Sequence, residues 1–280
     1  MLVGELGSSV FSWQEGNLQI LPKLSDRTAF LSAARDVNNK GHVVGYSLMS
    51  APRYGQYKRA TLWENGRAFE LEVSPGFWQS QALALSNDGQ IAGFIERREV
   101  GEKPLSRAAT WKQKRIQLLE GEEESAATHI NERGQVAGWC EAPDVGQATH
   151  KIHAVIWQNG KKFDLGEIAE LKGVEFPNPI MPFTEVPKPQ KQLGGYTTTP
   201  TGFNNLGQIV GKMDIQDGCS SSSGSFFFDG EMHDLKILLP KGENWEYPSA
   251  SGINDRGQII GTALHDGKQC VFLLSPNPQK

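Results

Sequence analysis

The feature that most constrains this chain is a motif that occurs five times. Each copy has an apolar strand end, a turn that begins with Asn or Ser, a turn glycine, and a second glycine four residues later. The intervals between successive turn glycines are 48, 45, 73 and 50 residues, and these glycines are Gly41, Gly89, Gly134, Gly207 and Gly257. Repeats of about this length indicate one supersecondary unit that is stacked several times.

Four strands are predicted in each unit. A strand of small residues leads into the turn, where an Asn side chain can bond back to the backbone and glycine adopts the left-handed conformation. The second strand ends at the second glycine, which predicts close approach of a neighbouring chain segment. The third strand often ends in Trp, and a tight turn leads into the fourth. We interpret the aromatic series as packing between units; its members are Trp13, Trp63, Trp111, Trp157 and Phe228.

These strands predict an all-β fold, a β-propeller of four-stranded antiparallel blades. The repeat predicts 22 strands, which favours six blades and leaves five blades with two surplus strands as the alternative. We expect a single domain over 1–280 with an insertion at 167–200 and units at about 1–24, 30–73, 78–120, 123–166, 196–238 and 245–275. With six blades the first lacks its first strand and the last lacks its fourth. We therefore hypothesise that further residues precede Met1.

The pattern "A-x-x-IN-x-x-GQxxG … HAFxW-x-x-G … DLG" resembles the HAF-repeat family of predicted extracellular bacterial proteins. The segment His153–Gly166, HAVIWQNGKKFDLG, matches it best, and INERGQVAG and INDRGQIIG match the other half. The resemblance covers nearly the whole chain. It implies a propeller-like fold and an extracellular location, and it carries no catalytic residues. The N-terminus shows no export signal, so a cytoplasmic location is the alternative.

Composition and motifs exclude several classes of function. A net charge of −4 and a pI near 5.9 argue against a nucleic-acid surface. No apolar run is long enough to span a membrane, and no cofactor or metal motif is present. We expect a monomer. Free thiols are expected at the three cysteines, with one disulfide and one spare thiol as the alternative; they are Cys140, Cys219 and Cys270.

The connections divide into two kinds. First-to-second and third-to-fourth connections are tight turns, whereas second-to-third connections and those between blades vary in length. The predicted irregular loops are 48–58, 97–106, 141–151, 214–224 and 171–201. In an antiparallel sheet these two kinds lie at opposite ends, here named the turn end and the loop end. Binding residues concentrate on loops held by a rigid scaffold, so the loop end is the predicted functional face.

The predicted function is a non-catalytic scaffold that binds a protein or a glycan. Aromatic residues recur 11 or 12 residues before the turn glycines, at Phe30, Trp78, Tyr196 and Trp245, with Glu123 as the exception. They could bind a ligand, or cap the core beneath the loops. Tyr54 and Arg97 are further candidates for ligand binding. The alternative is a glycoside hydrolase or lyase with carboxylates at the loop end; the candidates are Glu96, Glu99, Asp144, Glu170 and Asp214.

Overall fold

The computed structural model describes residues 1–25, 29–51, 55–97, 103–121, 123–142, 152–166, 196–217 and 220–276. Two compact units divide the chain, Met1–Val136 and Ala137–Lys280. The expectation of one domain stays a prediction.

Six antiparallel sheets, here called blades 1 to 6, follow one another along the chain. Blade 1 contains β1 (Leu2–Leu6), β2 (Ser9–Gln14) and β3 (Asn17–Ile20). Blade 2 contains β4 (Ala29–Val37), β5 (Val43–Ala51), β6 (Gly55–Glu64) and β7 (Arg67–Glu70). Blade 3 contains β8 (Gln79–Leu85), β9 (Ile91–Arg97), β10 (Leu105–Lys112) and β11 (Arg115–Leu118).

Blade 4 contains β12 (Ser125–Ile130), β13 (Val136–Glu141), β14 (Ile152–Gln158) and β15 (Lys161–Asp164). Blade 5 contains β16 (Tyr196–Phe203), β17 (Ile209–Asp217), β18 (Ser220–Phe228) and β19 (Met232–Asp234). Blade 6 contains β20 (Trp245–Ile253), β21 (Ile259–His265) and β22 (Lys268–Leu274). The six sheets confirm six blades rather than five, with three strands described in the first and last.

Blade 5 differs from the predicted pattern in two places. The fourth strand predicted in the unit 196–238 stops at Asp234, and a 3-10 helix spans Leu235–Leu238. The Asp234 side chain accepts a hydrogen bond from the backbone N–H of Lys236, and this cap favours a helical turn over continued pairing. The serine run falls in the predicted irregular loop 214–224, but Ser220–Gly224 belongs to β18 and pairs with β17.

The predicted turns at the turn ends are confirmed. Asn38 Oδ1 accepts hydrogen bonds from the N–H groups of Lys40 and His42, both at 3.0 Å. Gly41 has φ 77°, a left-handed conformation that costs glycine little. The equivalent turns repeat this geometry and begin at Ser86, Asn131, Asn204 and Asn254.

The second glycine of the repeat allows close approach, as predicted. A Cβ added at Gly45 would overlap the carbonyl oxygen of Ala33 on the neighbouring strand. The same overlap would occur at Gly93 with Gln81. A side chain at either position would therefore push apart the first two strands of its blade.

Aromatic residues at the ends of third strands pack against the preceding blade. Trp63 shares a buried cluster with Val10 of blade 1, and Trp111 shares one with Leu62 of blade 2. Each indole N–H also donates to a backbone carbonyl of the preceding blade, Trp63 to Pro22 at 2.8 Å and Trp111 to Glu72 at 2.7 Å.

In unit 2, Phe228 takes the same place against blade 4. Trp13 does not follow the prediction, since it is 41 % exposed. The reason is that among the described residues of Met1–Val136 no sheet covers its face of blade 1.

A buried hydroxyl connects successive blades. Thr198 Oγ1 of blade 5 accepts a hydrogen bond of 2.7 Å from the backbone N–H of Ala154 in blade 4. The Ser80 hydroxyl accepts a hydrogen bond of 2.9 Å from the backbone N–H of Ala60. The Ser125 hydroxyl accepts one from the backbone N–H of Ala108. Because a buried N–H without an acceptor is costly, these hydroxyls stabilise the stacking of the blades.

The Thr198→Val variant tests this contact. It keeps the shape of the side chain but leaves the buried N–H of Ala154 without its acceptor, so the free energy of unfolding should fall by about 1–3 kcal/mol. Urea denaturation measures the change, and the neighbouring half-buried Thr199→Val is the matched control. An equal effect of the two substitutions would contradict the assignment.

Asp36 connects the first strands of blades 2 and 3. Its Oδ2 accepts from the backbone N–H of Leu85 and its Oδ1 from that of Val37, both at 2.8 Å. Burial raises the pKa of the Asp36 carboxyl above its ordinary value, although these two N–H groups act in the opposite direction. The ionised carboxylate is therefore less favourable in the folded chain than in the unfolded chain.

The stability of the protein should depend on pH through Asp36. A raised pKa gives a contribution that is present below the ordinary pKa and is lost as the pH rises through the raised value. Relative to Asp36→Asn, the wild type should therefore lose stability as the pH increases from about 4 to about 7. Urea midpoints of both proteins across this range provide the measurement, and a constant difference between them would contradict the prediction.

Candidate binding site at the loop ends of blades 2 and 3

The loop ends differ from the prediction in two blades. In blade 2, β5 and β6 stay paired up to Ala51 and Gly55, so 48–58 is mostly a regular hairpin. In blade 5, pairing continues to Asp217 and Ser220. The predicted irregular loops there were wrong, because continuous backbone pairing extends both sheets beyond the predicted strand ends. In blade 3, β9 ends at Arg97 and β10 begins at Leu105.

Tyr46 lies at the centre of a cluster of charged and aromatic groups in blade 2. The Lys58 ammonium nitrogen lies 4.5 Å from the centroid of the Tyr46 ring, and the Arg35 guanidinium carbon lies 5.1 Å from it. Arg35 also forms an ion pair of 3.5 Å with Glu5 of blade 1. An aromatic ring with two cations within about 6 Å is stabilised by cation–π attraction.

A polar network extends this cluster to the loop end of blade 3. The Lys58 ammonium donates to Gln81 Oε1 and the Lys58 backbone N–H donates to Gln79 Oε1, both at 3.3 Å. Gln79 Nε2 in turn donates to Glu96 Oε1 at 2.7 Å. Burial lowers the pKa of Lys58, the positive charge of Arg35 lowers it further, and the negative charge of Glu96 opposes both.

Two predicted site residues lie beside this network. Trp78 is half-buried; its backbone N–H donates to the Glu96 carbonyl at 3.1 Å, and its own carbonyl accepts a hydrogen bond from the Arg59 guanidinium. Arg59 is also held by Glu70 at 2.8 Å. Arg97 is exposed at the end of β9. The structure thus brings Trp78 and Arg97 to the same loop end as Lys58.

Trp245 lies elsewhere, in blade 6. Its ring stacks on that of His265 with centroids 4.2 Å apart, and its indole N–H donates to Glu243 Oε2 at 3.0 Å. The ring also packs against the buried cluster of blades 5 and 6 that contains Leu235 and Phe272. This arrangement matches the alternative in which the aromatic residue caps the core.

The other predicted aromatic residues cannot be placed in a site. Phe30 and Tyr196 belong to strands β4 and β16, and their side chains lie outside what the structure describes. Tyr54 lies outside the described residues altogether.

The candidate acids of the alternative function are only partly described. Glu96 is half-buried and bonded to Gln79, and Asp214 is exposed in β17. Glu99, Asp144 and Glu170 lie outside the described residues. The turn-end acids instead connect blades, since Glu132 accepts from Asn87 and Asp255 accepts from Asn205.

Three aromatic residues were missed in the sequence. The residue directly after the second glycine of the repeat is aromatic in blades 2, 3 and 4, where it is Tyr46, Phe94 and Trp139. All three are half-buried. The dipeptides Gly-Tyr, Gly-Phe and Gly-Trp at a fixed register were the signal that could have identified them.

Cys140 and Cys270 are free thiols, whereas Cys219 lies outside the described residues. In the part of the chain that the structure describes, no helix is long and apolar enough to cross a membrane. No group of three or more His, Cys, Asp or Glu side chains in that part could hold a metal ion.

Comparison with known proteins gives a fold and no family. No family model matches the chain, and no curated protein matches it. The β-propeller domain of the Trilobed protease from Pyrococcus furiosus, described with an open velcro topology, is 11 % identical with a TM-score of 0.52. The match covers 97 % of this chain and 77 % of that chain. The fold is a β-propeller.

Two further solved structures are more distant. A protein of unknown function from Dyadobacter fermentans is 9 % identical with a TM-score of 0.43, covering 98 % of this chain and 85 % of that one. A thermostable family-43 glycoside hydrolase is 9 % identical with a TM-score of 0.36, covering 91 % and 98 %.

Replacing Trp245 with Ala should destabilise the propeller. The change removes ring packing against the core of blades 5 and 6, so the free energy of unfolding should fall by about 1–3 kcal/mol. Trp245→Phe keeps most of that packing and should cost less. Denaturant unfolding measures both variants, and an unchanged midpoint for Trp245→Ala would show that the ring does not cap the core.

Proposed function

We propose that this protein is a non-catalytic binding scaffold of the HAF-repeat type, which recognises a protein or a glycan through the loop ends of its blades. The observation that carries the proposal is the network around Lys58. It joins the side chains of two blades at one loop end, with the exposed Arg97 beside it.

Preorganisation supports this proposal. Gln79 is held between Lys58 and Glu96, and Arg59 is held between Glu70 and the Trp78 carbonyl. Side chains that are ordered before binding lose less conformational entropy when a ligand arrives. A rigid sheet that presents such groups at its loop end is a favourable place for recognition.

The groups present fit polar ligands. Lys58 and Arg97 offer positive charge, and Gln79 and Gln81 offer amides that both donate and accept hydrogen bonds. Carboxylates of a protein or hydroxyls of a glycan would be recognised by this combination. An extracellular location, implied by the resemblance to HAF-repeat proteins, would give access to both classes.

The double variant Lys58→Gln/Arg97→Ala tests the proposal. It removes both positive charges while Gln at position 58 retains a hydrogen-bonding side chain. A ligand identified with the wild type on a glycan array or a purified-protein array should bind at least about tenfold more weakly to the double variant, a loss of about 1.4 kcal/mol.

The matched control is Lys112→Ala, which removes an exposed lysine at the turn end of blade 3. Its affinity should equal that of the wild type. Full affinity in the double variant would place the ligand away from the loop ends of blades 2 and 3 and overturn the proposal.

A further inference from the structure

Two positive charges are held against one aromatic ring in blade 2. The Lys58 ammonium and the Arg35 guanidinium both contact the Tyr46 ring, and Arg35 also donates a hydrogen bond of 3.5 Å to the Tyr46 hydroxyl. Like charges this close repel each other, and the positive charge of Arg35 contributes to the lowered pKa of Lys58. An anion that contacts both cations would relieve this repulsion.

Neither cation is required by the repeat. Lys58 pairs with Leu48, three residues after the strand glycine Gly45. Arg35 is the bulged residue of β4, between Ala34 and Asp36. The equivalent residues in the blades whose pairing is fully described are Ser106, Ser223 and Gln269 for Lys58, and Leu83, Thr201 and Ser251 for Arg35. Blades therefore form and stack without a positive charge at either position.

The chain itself offers these two cations only weak anionic partners. Among the described residues no carboxylate forms an ion pair with Lys58, whose ammonium donates to the neutral amide oxygen of Gln81. Arg35 has Glu5 at 3.5 Å, and the two side chains are 40 % and 47 % exposed. Because an exposed ion pair contributes little to stability, a carboxylate from outside can take the place of Glu5 at small cost.

We propose that the partner at this loop-end site is a protein, one of whose glutamate side chains places its carboxylate against both Lys58 and Arg35. The inference rests on the proposed function and selects one of its two ligand classes. Lys58 is half-buried, so the carboxylate must reach inward. A glutamate carries its carboxylate on a flexible side chain, whereas the carboxylate of a uronic acid is attached directly to the sugar ring and neutral sugars have none.

The overall charge of the protein makes such binding specific to this cluster. The chain has a net charge of −4, so an acidic ligand is repelled by the molecule as a whole. Attraction must then come from a local group of cations, and it should weaken as salt screens the charges.

An acetylated hexaglutamate peptide is the probe, and hexaglutamine is its neutral counterpart. In NMR titrations up to about 10 mM at about 20 mM salt, hexaglutamate should bind the wild type and hexaglutamine should not. Arg35→Gln should bind hexaglutamate at least about fivefold more weakly. The matched control is Arg115→Gln, which removes an arginine paired with Glu72 at the turn end and makes the same change in net charge. Its affinity should equal that of the wild type.

The variant Glu5→Gln provides a second readout that moves in the opposite direction. It removes the carboxylate that competes for Arg35, so hexaglutamate should bind about two- to threefold more tightly. A purely structural role of the Arg35–Glu5 pair would not increase affinity. This variant also keeps the proposal testable if Arg35→Gln does not fold.

Three results would overturn the inference: equal binding of hexaglutamine, unchanged hexaglutamate affinity in Arg35→Gln, or tighter binding of trigalacturonate than of hexaglutamate. The loop-end function is tested separately by Lys58→Gln/Arg97→Ala with the ligand found on the arrays. Weaker binding of that ligand to the double variant, together with unchanged hexaglutamate affinity in Arg35→Gln, would reject the glutamate contact and leave the loop-end function in place.

Discussion

Stacking from blade 2 to blade 5 depends on an alanine near the middle of the third strand, because its backbone is bonded on both sides. The carbonyl of Ala60 accepts from the Leu71 N–H at 3.0 Å, and the Ala60 N–H donates to the Ser80 hydroxyl of the next blade at 2.9 Å. The first bond holds the end of the fourth strand, and the second holds the neighbouring blade. A methyl side chain allows that blade to approach until the hydroxyl reaches the N–H. Aromatic packing by Trp63 and Trp111 then fills the space toward the turn ends.

The interface between blades 5 and 6 also contains a hydrogen bond from a backbone N–H to a hydroxyl, but here the third strand supplies the hydroxyl and the first strand of the next blade supplies the N–H. Pro248 stands where other first strands carry Ser or Thr, so blade 6 offers no hydroxyl there. The small residue of the third strand is instead Ser225, whose hydroxyl accepts from the N–H of Ala250 at 3.0 Å. One such hydroxyl therefore lies at each of the four interfaces from blade 2 to blade 6. The strand that supplies it can change. The exchange indicates that the hydroxyl between the blades, rather than a particular residue position, is what the packing requires.

Much of this architecture could be predicted because it depends on local backbone geometry. Gly41 and Asn38 specify their turn wherever it lies in the chain, and the second glycines require only the neighbouring strand. The hairpin of β17 and β18 could not be predicted, since serine has little strand preference and Ile209–Asp217 supplies the pairing. The network of Lys58, Gln79 and Glu96 joins two units of the repeat, and its spacing in sequence follows no motif. Such contacts become visible only when blade-to-blade packing is known.

The departures from the repeat carry more information about individual interfaces between blades than the repeat itself. A residue that recurs in every blade, such as the strand glycine, is explained by the stacking that all blades share. Lys114 is not explained in this way. Blades 1, 2 and 4 carry glycine at this turn position, whereas Lys114 keeps the left-handed conformation and adds an ion pair with Glu64. A departure that keeps the left-handed backbone of the turn and adds a contact between two blades changes one interface without changing the stacking that all blades share.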